Sequence, residues 1–203
     1  MQIHSFSKVS DKKLPALLQP VRRNGAAGPH DLRRALLLLA PRPAYGVTLA
    51  LAGMVERAWE RHGMDYLPIA GLDGEATRTM FSVHFPGAQA LIGSAWQSMR
   101  VPADFVGFTE AEFIDRLAQL LIQHRTVEDE DSRWLAHAVA TASRGSESLW
   151  QVLYFSSPTV FDDLMHSFFT SLAVCNRNGQ DWKVFLFERV EAERARYRQA
   201  PVG

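Results

Sequence analysis

Apolar residues recur along this chain at spacings of three and four, and alternation at strand period is sustained nowhere. From Gly46 to His62, Leu51, Ala52, Val55, Ala58 and Trp59 form one stripe, and Gly63 stands where a C-cap is wanted. Over 73–85, Ala76, Met80, Val83 and His84 share a face until "FPG" breaks the pattern. "TEAEFIDRLAQLLIQHR" carries Phe113, Ile114, Leu117, Leu120 and Leu121 on one side, and Thr109 with Glu112 has the spacing of a capping box. "VEDEDSRWLAHAVATASRG" begins acidic, as suits the positive end of a helix dipole, and places Trp134, Leu135, Ala138, Val139 and Ala142 inward up to Gly145. "SPTVFDDLMHSFFTSLAVCN" reads as one helix capped by Ser157 with Pro158 at its first position, burying Phe161, Leu164, Met165, Phe168 and Leu172. A last helix runs from about Gln180 to Tyr197, with Trp182, Phe185, Leu186 and Val190 as its stripe.

Two stretches read differently. Residues 1–29, punctuated by Pro15, Pro20, Gly25, Gly28 and Pro29, are expected to be a flexible leader with at most a short helix near 14–18. Asp31 is expected to cap a short helix that "PRP" at 41–43 must end. Between 86 and 108, "AQALIGSAWQSM" fits either a helix or a loop, and "VPADFVGF" reads as loop. Six to eight helices with short connections predict an all-α, single multi-helix bundle-like domain over 30–203.

Composition narrows the function classes. Lys+Arg and Asp+Glu balance at 22 each, so no strongly basic nucleic-acid surface is announced. The longest apolar run, "ALLLLA" at 35–40, falls far short of the roughly 20 residues that span a bilayer. No secretory signal is evident, and the chain is expected to be cytoplasmic. With one cysteine, Cys175, an internal disulfide and a multi-thiolate metal site are both impossible within these residues.

Catalytic motifs are absent: no Gly-rich phosphate loop, no G-x-S-x-G elbow and no H-E-x-x-H. No enzyme activity is expected. The acidic run at 128–131 is continuous, unlike a calcium loop, and reads as a solvated helix start. Asp162 and Asp163 read as partners of a helix dipole. The candidate metal-ligating side chains are His124, His137, His166 and Cys175, each with packing or capping as its plainer role.

Three blocks in order carry a resemblance. They are "LAGMVERAWERHG" with "LDGEATRTMFSVHFPGA", then "LLIQHRTVEDEDSRWLAHAVATASRGSESLWQVL", then "LMHSFFTSLAVCNRNGQDWKVFLFERV". Together they resemble the NifQ family over about residues 46–201. The late block matches most closely at Asn176, Trp182, Lys183 and Phe185. The resemblance implies a role in supplying molybdenum for the nitrogenase iron–molybdenum cofactor, a protein partner, and an iron–sulfur or molybdenum–iron–sulfur cluster on four C-terminal cysteines.

The departures bear on that cluster. Arg198 stands about where the first of those cysteines would be and Gly203 where the second would be. Ser148 replaces a family histidine and Val152 a family aspartate. A cluster needs several soft thiolates, and an arginine has no lone pair to give. The expectation is therefore a NifQ-like protein with no bound cofactor, acting as a docking module. The alternatives are a molybdate or metal-ion binder using non-thiolate ligands, and an enzyme whose site is not visible in the sequence.

Overall fold

The computed structural model describes residues 30–103 and 108–199. They form ten α-helices: α1 (His30–Leu39), α2 (Gly46–His62), α3 (Gly74–His84), α4 (Gln89–Ile92), α5 (Phe108–Gln123), α6 (Glu130–Ala142), α7 (Leu149–Val152), α8 (Pro158–Phe168), α9 (Thr170–Cys175) and α10 (Trp182–Gln199). A 3-10 turn, Gly93–Gln97, follows α4. Among the described residues no strand forms; Tyr66 and Arg100 make one isolated bridge. The domain is all-α, as the pattern predicts. The leader at 1–29 lies outside the described residues.

Two helices are buried nearly all round. On α6, residues 134–142 are buried without a break, and so are residues 50–56 on α2. A helix that is apolar on every side belongs at the centre of a core. The alanines at 136, 138, 140 and 142 keep α6 thin enough for neighbours on all faces. α5, α2 and α7 pack on α6, α1 packs on α2, and α10 packs on α5. Trp134, Phe81, Phe85, Phe161 and Phe169 fill the spaces between them. Each such side chain contributes on the order of 1.5–3 kcal/mol by leaving water.

Gly53 lets α7 approach closely: a Cβ there would lie 2.9 Å from the Leu153 carbonyl oxygen. Gly71 combines a left-handed φ of +78° with a neighbour, His137 Nδ1, that a Cβ would meet at 2.6 Å. Both demand glycine, one for space and the other for space and backbone shape.

The structure corrects several local readings. The helix expected across 157–176 is two, α8 and α9, separated at Phe169 (φ −134°, ψ 51°). Thr126 causes the break. Its amide donates to the Phe168 carbonyl at 2.8 Å, and its hydroxyl accepts from the Thr170 amide at 3.2 Å. Phe108 already opens α5, so Thr109 is not at the N-cap; Glu112 instead pairs with Arg116 at 2.8 Å. Asp31 lies within α1 rather than before it. Val83, placed on the buried stripe, is exposed, because α3 turns His84 inward instead.

Candidate functional site

The late block anchors α10. The Asn176 amide closes a turn on Gln180, donating to its carbonyl at 2.9 Å and accepting from its N–H at 3.1 Å. Asp181 then caps the helix by accepting from the Lys183 amide at 2.9 Å. The Trp182 indole donates to Asp162 Oδ1 at 2.8 Å, and Phe185 packs edge-on against Trp182. The Lys183 ammonium donates to the carbonyls of Gly145 and Glu147. Asp162 is thus a tertiary acceptor for an indole. It is not a dipole partner, because it lies beyond the first turn of α8. A shallow groove of about 230 Å³ runs past Trp150, Asp162, Asp181 and Trp182.

With its first turns fixed, α10 carries its later turns across α5 and α9. A cleft of about 150 Å³ opens there, with Leu120 and Leu172 as its apolar floor. His124, just past the end of α5, and Cys175, the last residue of α9, both line it. Arg189, Glu193 and Arg196 of α10 complete the wall. Their spacing of four and seven places them on one face of the helix. His124 Nδ1 lies 2.8 Å from Ser171 Oγ, and that hydroxyl lies 3.4 Å from the His124 carbonyl. The Ser171 hydroxyl thus bridges the ring and the backbone of the same residue. Cys175 is exposed.

The other two candidates lie elsewhere. His137 is buried in α6, with Nδ1 3.2 Å from the Ala70 carbonyl. Burial holds its pKa below the ordinary 6.5. A neutral imidazole donating to that carbonyl pins the 63–73 loop to α6. His166 is exposed on α8, bonded back to its own helix at the Asp162 carbonyl. The structure therefore brings His124 and Cys175 together and leaves His137 and His166 apart. Among the described residues, no three His, Cys, Asp or Glu side chains gather so as to hold a metal ion.

The most densely bonded polar group was not singled out in the sequence. His84, 2% exposed, receives Thr48 Oγ1 at 3.0 Å on Nδ1 and meets Asp131 Oδ1 at 3.2 Å with Nε2. Asp131 also takes the Tyr45 hydroxyl and lies 3.5 Å from Arg42. Tyr45 stacks on the His84 ring, and Trp134 meets it edge-on. Desolvation lowers the His84 pKa, outweighing Asp131, while burial and the Asp131 bond push Tyr45 up to about 12. The order hydroxyl, imidazole, carboxylate is that of a nucleophile relay. Here Thr48 and His84 are sealed in the core, so the relay reaches no substrate and serves as a satisfied buried network. Asp131 accordingly departs from the solvated acidic start read for 128–131. Asp129 keeps that role, capping α6 through the Ser132 amide at 2.8 Å. The one available signal was His84 standing in register with an apolar stripe, since a polar group so placed must find partners.

The NifQ family profile matches residues 50–202. The chain belongs to the NifQ family. It is 28% identical to Protein NifQ of Azotobacter vinelandii over 137 residues, 64% of this chain and 70% of that protein. No solved structure matches it. On this NifQ-family chain the late-block residues Asn176, Trp182, Lys183 and Phe185 are all spent on holding α10 in place.

Residues 1–203 contain one sulfur that can be a thiolate, Cys175, and one thiolate alone does not hold an iron–sulfur cluster. Arg198 lies in the last turn of α10. Among the described residues no helix is long and apolar enough to cross a membrane.

Proposed function

We propose that this chain serves molybdenum handling for nitrogenase cofactor assembly, and that residues 1–203 do so by docking to a partner rather than by carrying a cluster. One observation supports this above the others: residues 50–202 match the family model, while residues 1–203 supply a single sulfur donor. Val184 and Phe187 offer a contact face. They are one turn apart on α10 and about half exposed, with Phe113 of α5 packed beside Phe187. No catalytic turnover is assigned to the chain, and its expected setting is the cytoplasm.

Anaerobic purification followed by iron and molybdenum analysis and a visible spectrum tests the reading. We expect iron far below one atom per chain and no charge-transfer band. Stoichiometric iron with such a band would reverse the conclusion. Docking is tested by co-purification with nitrogenase cofactor-assembly proteins. Phe187→Asp is expected to abolish capture while leaving the melting temperature within a few degrees.

A further inference from the structure

The charge of this chain is balanced only in sum. Residues 1–29 hold five of the 22 Lys+Arg and one of the 22 Asp+Glu, so with neutral histidines they carry +4 and residues 30–203 carry −4. The leader's charge brackets an apolar stretch: Lys12 and Lys13 precede "LPALLQPV" at 14–21, and Arg22 and Arg23 follow it. The complement of such a segment is an apolar surface bordered by carboxylates. The groove between α7, α8 and α10 is one. Trp150, Pro158, Phe161 and Trp182 line its apolar part, Asp162 and Asp181 border it, and no Lys, Arg or His belongs to its lining. At about 230 Å³ it is small for a drug-sized ligand and suits a few side chains of a peptide. The point where α1 begins connects the two. The Arg33 amide donates to Glu56 Oε1 at 3.1 Å, and its guanidinium donates to the Tyr154 carbonyl at 3.3 Å and lies over the Tyr154 ring. The Phe155 amide donates to the Trp150 carbonyl at 2.8 Å. The chain therefore enters α1 beside the end of α7, and α7 carries Trp150 into the groove. From His30 back to Arg22 the chain can reach up to about 28 Å, several times the roughly 6 Å length of α7.

We propose that residues 12–23 of this chain occupy the groove between α7, α8 and α10 as an intramolecular strap, with Leu17 and Leu18 against its apolar part and the flanking cations facing Asp162 and Asp181. The apolar contact supplies most of the attraction, because exposed ion pairs are individually weak; the charges set the orientation. Tethering raises the local concentration of the segment to the order of millimolar, so a weak contact is enough to keep the groove covered. The inference rests on the groove and on the charge of residues 1–29, and does not depend on docking through Val184 and Phe187.

The lysines provide the readout. Lys8, Lys12 and Lys13 lie in residues 1–29, and the one other lysine, Lys183, donates to the carbonyls of Gly145 and Glu147. A zero-length carbodiimide joins an amine only to a carboxylate already beside it. In the full chain, mass spectrometry should find Lys12 or Lys13 joined to Asp162, Asp163 or Asp181 within one molecule. L17D/L18D should remove these links by spoiling the apolar stretch. T159R should remove them from the other side, because Thr159 is exposed in the groove lining and an arginine there fills the space and repels the cations. Cleavage after Lys12 and Lys13 by a lysine-specific protease gives a second measure. A strap docked ten times more often than free should slow that cleavage about tenfold relative to L17D/L18D. Circular dichroism confirms that each variant is folded. Links spread over carboxylates remote from the groove, links that survive T159R in a folded protein, or cleavage as fast in the wild type as in L17D/L18D would each overturn the proposal. Links that join two chains would assign the groove to the leader of a second copy and overturn the intramolecular strap.

Discussion

His84 and His124 are the same residue in opposite surroundings. The His84 ring is enclosed by Tyr45, Phe85 and Trp134, with both nitrogens bonded and its pKa depressed by burial. His124 is half-buried beside a cleft, with one nitrogen bonded to Ser171 and with Cys175, Arg189, Glu193 and Arg196 lining the same space. The first arrangement leaves no capacity unused, so its worth is measured in stability. The second is only partly bonded and open to solvent, so its removal should cost the fold little. A polar cluster in a protein therefore declares its role less by which residues it contains than by how many of their bonds are already made.

The largest expected effect comes from breaking the closed cluster. His84→Ala removes a buried ring and strands Thr48 inside the core, with Asp131 losing one partner. The cavity and the unmet polar groups together should cost about 3 kcal/mol. In a chain of this length that is roughly 6–12 °C in melting temperature, read by calorimetry. A loss below about 1 kcal/mol would mean that the network is incidental to the fold.

Next in size is Gly71→Ala. A side chain at φ +78° is strained by about 1–2 kcal/mol, and its Cβ would press within 2.6 Å of His137, displacing the ring from the Ala70 carbonyl. His137→Ala supplies the comparison, since it vacates the space that the added Cβ would enter. Urea denaturation should show Gly71→Ala costing at least about 1 kcal/mol less in a His137→Ala background than in the wild type. Equal losses would remove the His137 contact from the account.

The pH dependence is smaller and comes from the two buried histidines, His84 and His137. Burial lowers the pKa of His84 and of His137 below 6.5, the value an unfolded chain regains. Their unfolded forms then bind more protons, so stability is full above about pH 6.5 and falls as pH drops through the folded values. Each unit of depression is worth about 1.4 kcal/mol. Melting temperature measured from pH 7.5 to 5 should fall more gently in His84→Gln, after allowance for its lower starting point. A wild-type profile flat over this range would contradict the buried, neutral assignment.

Much of the scaffold was legible because it is local. Gly46–His62 was readable from its stripe and from Gly63, the Ser157–Pro158 start of α8 from capping chemistry, and the α10 stripe from spacing alone. The division of α8 from α9 was not legible, because Thr126 makes it from 44 residues away. Nor was the inward turn of Asp131, since nothing in "EDED" says which carboxylate faces a histidine 47 residues earlier. At the candidate site, His124 and Cys175 were readable one by one as potential ligands. Their meeting depends on how α9 and α10 pack against α5. Nor could the sequence say that Arg189, Glu193 and Arg196 border the same space.

The smallest effect is the one that tests the open side of the comparison. His124→Ala and Cys175→Ser should each change stability by less than about 0.5 kcal/mol, since both sit at the protein's edge and His124 loses only a hydrogen bond to an exposed serine. In melting temperature that is within about 2 °C, near the resolution of a scan. A near-zero result is informative here because the same histidine-to-alanine change at His84 should cost several-fold more. If His124→Ala cost as much as His84→Ala, the cleft would be a packing joint between α5 and α9. If it costs almost nothing, the two histidines divide as their bonding implies, since one gives up two buried hydrogen bonds and the other a single bond at the surface.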